Sequence, residues 1–546
     1  MDGQKMEMAQ LLLQLDPRDN AAVALESLPA GARIQLGATC IEVRQTIPAK
    51  HKIALVDFAP GATVLLYGLP VAEAVAAIPR GGLLTTENLR HRAAGYTTER
   101  HFAPYTPPDV TAWQKRTFLG YPRPDGRFGT RNLWLVLPLV FCENRNVERL
   151  REALEEELGY GPGSTLRART RQLIAQRDGL QFSPNTQPKR EKEFENLDGV
   201  RFLTHAGGCG GTRQDARSLC GLLAGCMANP NVAGATVLSL GCQNAQIAWL
   251  EEELAARDPE LTKPVLVFDQ QKIGSDERLM QNALDGTFAA LDEANRIARR
   301  PAPLSALTVG LKCGGSDGFS GLSANPVLGH LSDLVGALGG RSILSEFPEL
   351  HGVEQSLIDR CATDALAARF AALMQFFAAQ AHAVGSGFES NPSPGNIADG
   401  LITDAMKSAG AARKGGLAPI RAVLDYPEPV REPGLNLLCT PGNDVEAATA
   451  QAGAGANLIL FTTGLGTPTG SAIAPVVKVS TNSELAQRMA DILDFDAGPI
   501  VHGEETIEAC AERLLEFSIQ VASGQQTRSE QLGQYDFIPW KRGVSL

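Results

Sequence analysis

The chain has 546 residues, 44% of them hydrophobic and 20% charged, with a formal net charge of −11 and a pI near 5.4. That balance fits a globular protein of several domains and offers no basic field for a nucleic acid or an anionic membrane. No stretch approaches the about 20 apolar residues of a membrane span. The opening MDGQKMEMAQLLLQLDPRDN lacks the basic, apolar and small-residue succession of a secretory signal. A cytoplasmic location is therefore expected, with the ten cysteines as reduced thiols or metal ligands.

In chain order, residues 31–90 read as short strands (ARIQLGA, CIEVRQ, KIALVDF, TVLLYG) punctuated by Pro48, Pro60-Gly61, Gly68 and Gly81-Gly82. A small β-rich module over residues 1–105 is expected from that pattern. FAPYTPPDVTAW (102–113) reads as a linker. Apolar runs then alternate with segments of helical spacing. The runs are 133–142, 235–242, 264–269, 307–313, 341–346, 435–439 and 457–463; the helical segments include 146–158, 278–299, 355–380 and 483–494. Such alternation predicts an α/β fold with parallel sheets covered on both faces. ARRPAPLSA (298–306) divides it into parts spanning 112–300 and 304–546, and the polar stretch 162–198 reads as a surface excursion.

The cysteines suggest a site. Cys142, Cys242 and Cys313 each end an apolar run, and Cys209 lies in FLTHAGGCGGTRQD among glycines that permit sharp turns and close approach of a ligand. Open α/β sheets bind ligands beyond the carboxyl ends of their strands. Cys209, Cys242 and Cys313 are accordingly expected to converge, with His205 and Cys142 close by. Thiolates suit iron, zinc and iron–sulfur clusters, and no pair has the Cys-x-x-Cys spacing of a structural zinc site. GYPRPDGRFGTRN (120–132) places Arg123, Arg127, Arg131 and Asn132 in a glycine-punctuated loop, and arginine forks match a substrate carboxylate. Lys312, beside Cys313, is a candidate base or carboxylate anchor, and Ser316 and Asp317 in CGGSDGFSG are assigned to substrate binding. The expected partner is a small anionic hydroxy acid.

Several of these stretches resemble one known family. GYPRPDGRFGTRN, THAGGCGGTRQD, LSLGCQNAQI, LKCGGSDGFSGLSANPVLG, NPSPGNIADGLI and TPGNDVEAATAQAGAGANLILFTTGLGTPTGSAIAPVVKVSTN are similar to the altronate/galactarate dehydratases. HKIALVDFAPGATVLLYGLP resembles that family's SAF domain. The resemblance implies a β-clip SAF domain, a second α/β domain and a Rossmann-like C-terminal domain. It implies elimination of water from a sugar acid by α-proton abstraction, giving a 2-keto-3-deoxy acid, in an enzyme acting as a homo-oligomer. It also implies a divalent metal, Fe²⁺ above others, with an iron–sulfur cluster as the alternative. His51, Glu73, Glu87, Cys209, Cys242 and Cys313 are the ligands so assigned, and His51, His205 and Lys312 the catalytic groups. The family also contains carbon–sulfur lyases acting on sulfolactate, and a non-catalytic sugar-acid-binding homologue is the third reading. One departure stands out. SAF domains of this family carry histidines at three places; this chain keeps His51 but has Glu73 at the second and Thr85, Thr86 and Glu87 at the third.

Overall fold

A computed structural model describes residues 11–101, 104–161, 165–178, 191–260 and 262–546. The first ten residues, two of the linker and much of the 162–198 excursion lie outside the described residues.

The N-terminal module is built from three small antiparallel sheets. Leu12–Leu13, Ala21–Ala24 and Lys52–Ala54 form the first, Arg33–Leu36 and Thr39–Glu42 a hairpin, and Thr63–Leu66, Leu69–Ala74 and Leu89–His91 the third. The strands are short because the chain is turned by Gly-bearing corners every few residues. Gly61 and Gly81 hold φ of +86° and +82°, where side chains are disfavoured.

The second domain has a four-stranded parallel sheet in the order Gly199–Phe202, Leu133–Pro138, Val232–Ser239, Val265–Asp269. The C-terminal domain has a seven-stranded parallel sheet. Its order is Ile420–Leu424, Gly434–Leu438, Arg341–Leu344, Thr308–Cys313, Leu458–Thr463, Val476–Ser480, Phe495–Asp496. Its central strands are buried on both faces, which is why they read as unbroken apolar runs. The helix expected over 355–380 is two, Glu354–Arg360 and Asp364–Ala383. Between them Cys361 makes a parallel bridge to Ile420, Ala362 N donates to Ile420 O, and Thr363 caps the second helix through Leu366 N. Pairing with the sheet edge and a new cap end the first helix early.

The three parts are packed together. Val64, Leu66, Val71 and Leu89 of the module share one apolar cluster with Phe319, Leu322 and Met406 of the C-terminal domain. The second domain meets the C-terminal domain through helix Arg213–Ala228 against Asp444–Gly453. There the backbones touch, since a Cβ on Gly225 would lie 2.1 Å from Gly453 O. Among the described residues no helix is long and apolar enough to cross a membrane.

Candidate functional site

The seven-stranded sheet reverses its winding between Thr308–Cys313 and Leu458–Thr463. Beyond the carboxyl ends of two such strands an α/β sheet opens a crevice. This one is lined with buried charge. Lys312 Nζ donates to Glu346, to Asp444 Oδ1 at 2.8 Å and to Cys313 O at 2.6 Å. Lys414 Nζ lies 2.7 Å from Glu346 Oε2 and 2.8 Å from Cys313 Sγ. Lys407 Nζ pairs with Glu349 Oε1 at 2.9 Å and donates to Asn391 Oδ1 at 2.7 Å.

Burial alone would strip Lys312 and Lys414 of their protons. For Lys312, Glu346, Asp444 and Glu349 reverse that and hold it above the usual lysine range; for Lys414, Cys313, Glu346 and Glu349 do the same. Burial would raise Glu349, but Lys407, Lys414 and Lys312 hold it well below the usual carboxylate range. Burial, with Glu349 beside it, pushes the Cys313 thiol up to about 12.

Two strained residues frame the crevice. Glu346 has φ +68° and Lys50 φ +74°, two of the three described non-glycine residues with positive φ. A side chain in that region costs roughly 1–2 kcal/mol, and such strain concentrates at functional sites. Lys50 comes from the N-terminal module. Its Nζ reaches Asp317 Oδ2 at 3.0 Å and Asp399 Oδ2 at 3.6 Å. Asp317 is fully buried and also accepts from Thr481 Oγ1 at 3.1 Å, Ser320 Oγ at 3.0 Å and Phe319 N at 3.2 Å. Lys52 Nζ donates to Gly400 O at 2.6 Å and Lys50 O at 3.0 Å, and burial lowers it to about 7. His51 lies between them. Its Nδ1 faces Ala49 O at 3.2 Å.

The crevice thus gathers His51, Lys312, Cys313, Ser316 and Asp317, all expected from sequence, and adds Lys50, Glu346, Glu349, Lys407, Lys414 and Asp444, which were not. Ser316 Oγ donates to Cys313 Sγ at 3.5 Å, and its carbonyl accepts from Asn396 Nδ2 at 2.7 Å. The module therefore meets the C-terminal domain at this site, through Lys50 on Asp317 and Asp399. Lys312, a candidate base or anchor by sequence, has its Nζ engaged by Glu346, Asp444 and Cys313 O and is held above the usual lysine range.

The other expected site residues lie elsewhere. Arg123 is buried on Pro230 O, Asn132 Oδ1 and Arg131 O; Asn132 Nδ2 spans Asn196 O and Ala294 O. Arg131 pairs with Glu530 at 2.7 Å and donates to Thr130 O, Val521 O and Gln525 O. Arg127 pairs with Asp125 at 2.6 Å and donates to Ala228 O. These groups stand at the amino ends of the second sheet's strands, held there by backbone carbonyls and by Asp125 and Glu530. Glu73 is engaged by Arg90 and by Arg92 at 3.2 Å, and Glu87 is exposed.

His205, buried, has both ring nitrogens on backbone: Nδ1 accepts from Gly207 N at 3.1 Å and Nε2 donates to Pro138 O at 2.8 Å. Burial lowers its pKa to about 4. It pins the glycine turn in its neutral form and has no lone pair left for proton abstraction. Cys142, Cys209 and Cys242 are exposed. Their loops are stitched together, with Phe141 N on Gly207 O at 3.0 Å and Asn244 N and Ala245 N on Gly208 O at 2.8 and 3.0 Å. Cys209 borders a cavity of about 280 Å³ with His205, Phe537 and Trp540. Cys313 belongs to the other sheet, so the expected trio of Cys209, Cys242 and Cys313 does not form, and the loops of Cys142, Cys209 and Cys242 are the ones that lie together.

Two described groups bring three metal-ligating atoms within 4.8 Å of one another. Cys313, Glu346 and Glu349 form one, but Lys312, Lys407 and Lys414 already occupy their lone pairs and the thiol keeps its proton. That donor set does not fit a divalent ion. His91, His351 and Asp404 form the other, where the described groups impose no lysine.

Fold and site define an α/β enzyme whose N-terminal module reaches over the strand ends of its C-terminal domain. The comparisons say which. The Altronate/galactarate dehydratase SAF domain model matches residues 10–92, the D-galactarate dehydratase/Altronate hydrolase second domain residues 120–295, and the D-galactarate/Altronate dehydratase C-terminal model residues 304–545. An altronate dehydratase of Escherichia coli is 33% identical over 98% of this chain and 99% of its own length. One of Bacillus subtilis is 33% identical with the same coverage, and a galactarate dehydratase (L-threo-forming) of E. coli is 30% identical over 96% and 95%. The chain belongs to the altronate/galactarate dehydratase family and is a hydro-lyase.

Proposed function

We propose that the chain removes water from a sugar acid of the altronate or galactarate type, giving a 2-keto-3-deoxy acid. The observation that carries this reading is the Lys50–Asp317 contact at 3.0 Å, which sets His51 of the module beside the lysine-lined crevice of the C-terminal sheet. A proton α to a carboxylate is weakly acidic, so elimination needs the carboxylate held by cations and a base within reach of the C–H bond. Lys50 and Lys407 are the ammoniums we assign to the substrate carboxylate. His51 Nε2 takes the C2 proton; the C–H electrons form the C2–C3 double bond as the C3–O bond breaks, the His51 imidazolium returns that proton to the departing hydroxide to give water, and the enol tautomerises to the keto acid. Ser316 and Asn391 are the groups we assign to substrate hydroxyls, and Asp317 positions Lys50.

A divalent metal, Fe²⁺ above others, belongs to the same proposal; when bound it supplies Lewis-acid stabilisation of the enediolate. The stitched loops of Cys142, Cys209 and Cys242 support the iron–sulfur alternative, because exposed strand-end thiols suit a cluster.

The test is an anaerobic screen of aldonic, aldaric and sulfonated hydroxy acids with added Fe²⁺, reading keto-acid and sulfite release. Keto-acid from an aldonic or aldaric acid is expected, with His51→Gln lowering kcat about 10²- to 10⁴-fold. Sulfite release from a sulfonated acid alone, or full activity of His51→Gln, overturns the reading.

A further inference from the structure

We propose that His91, His351 and Asp404 hold a divalent transition-metal ion at the seam between the N-terminal module and the C-terminal domain. Each ligand comes from a different element. His91 ends the module strand Leu89–His91, His351 follows the turn Phe347–Leu350, and Asp404 opens helix Asp404–Ala411. One carboxylate oxygen faces each imidazole: Asp404 Oδ2 lies 2.8 Å from His351 Nδ1, and Oδ1 lies against His91 Nδ1. His91 Nδ1 is buried and turned into the cluster, against the Asp404 carboxylate. The two rings stack with centroids 5.1 Å apart, and Phe388 packs on His351 at 5.2 Å. The Asp404 side chain is 2% exposed while the histidines are 27% and 30% exposed, so a fixed carboxylate lies beneath an opening that an ion can enter.

Two imidazole nitrogens and one carboxylate oxygen are the donor set of Fe²⁺, Zn²⁺, Mn²⁺ and Co²⁺ sites. Three protein ligands leave positions for water or a hydroxy acid. Both imidazole Nδ1 atoms and the Asp404 carboxylate converge within 4.8 Å of one another, with the two ring nitrogens turned toward the same carboxylate. The position also matters. Asp404 is one helical turn from Lys407 and His351 two residues from Glu349, and Lys407 with Glu349 forms a wall of the crevice. The module that lost the family-type histidines at Glu73 and Glu87 thus supplies an imidazole from a strand a few residues farther on.

The site deepens the proposed function but is tested without substrate. The full chain is stripped with a chelator and titrated with Co²⁺, read by d–d absorption, by bound metal per chain after desalting and by the shift in Tm. About one Co²⁺ per chain is expected, with a Tm rise on loading. Binding is expected to weaken at least 100-fold in His91→Gln, His351→Gln and Asp404→Asn, and to be unchanged in His101→Gln, whose ring is 71% exposed and away from the cluster. Circular dichroism matching the wild type shows that the variants are folded; His351→Gln, altering a surface turn, is the one most certain to pass. Wild-type chain that takes up no Co²⁺ overturns the proposal, as does uptake that is equal in all folded variants. A chain that binds Co²⁺ through these residues and dehydrates no sugar acid keeps the site and removes the proposed function.

Discussion

Arg131 shows how a residue can carry the signature of a substrate anchor and serve the fold instead. Its guanidinium is buried and satisfied by Glu530 and three carbonyls. Removing one member of such a pair leaves a buried charge alone, at a cost of about 3–5 kcal/mol. Arg131→Ala is therefore expected to lower stability by that amount in urea unfolding while KM of the folded enzyme stays within twofold. A tenfold rise in KM would restore the arginine to the substrate. Glu354 gives a second residue-scale expectation. It is buried, accepts from Gly352 N at 2.7 Å, and burial raises its pKa to about 7. The native state then holds a proton that the unfolded state has released, so stability is full below about pH 4.5 and lost as pH rises through 7. Glu354→Gln should flatten that part of the Tm–pH profile and stabilise the chain by roughly 2–3 kcal/mol at pH 8. An unchanged profile would assign the slope to other groups. Cys313, Ser316 and Asp317 were legible because glycines at a strand end announce an open backbone. Glu346, Lys407, Lys414, His91 and His351 were not, because no glycine-rich or cysteine motif marks their positions in the sequence. Their chemistry comes mostly from neighbours distant in the chain, such as His351 and Asp404 for His91 and Cys313 for Lys414, which no local pattern encodes.

At the scale of elements, strand ends explain both what sequence foretold and where it failed. The central strands of both sheets, Val476–Ser480 excepted, were readable as apolar runs, because burial on two faces removes the polar alternation. That Cys142, Cys209 and Cys242 would share one sheet edge, and Cys313 another, was not readable, since strand order depends on long-range pairing. The register settles it: Leu133–Pro138 lies between Gly199–Phe202 and Val232–Ser239. The exposure of these thiols gives a direct check. In metal-free chain a thiol reagent is expected to titrate four cysteines rapidly, namely Cys40, Cys142, Cys209 and Cys242, and the remaining six only in denaturant. Cys142→Ser, Cys209→Ser and Cys242→Ser should each remove one fast equivalent. Fast reaction of Cys313, whose thiol is buried beneath Lys414, would show that the crevice opens.

For the whole molecule, the seam between the module and the C-terminal domain is the decisive surface, and two glycines hold it closed. A Cβ on Gly318 would lie 2.3 Å from Lys50 O, and one on Gly400, at φ +90°, 2.4 Å from the same atom. Adding a methyl at Gly400 would push away the loop that carries Lys50, His51 and Lys52. Gly385 offers the matched control, since it has φ +73° and open space around the position of a Cβ. Both Gly385→Ala and Gly400→Ala bear the backbone penalty of roughly 1–2 kcal/mol, and both should lose that much stability. Only Gly400→Ala should also lose the Lys50–Asp317 contact, so its kcat/KM is expected to fall at least tenfold while Gly385→Ala keeps wild-type turnover. Equal activity in the two variants would mean that the module can stand off from the strand ends without cost to the reaction, and His51 would then have no claim on the substrate.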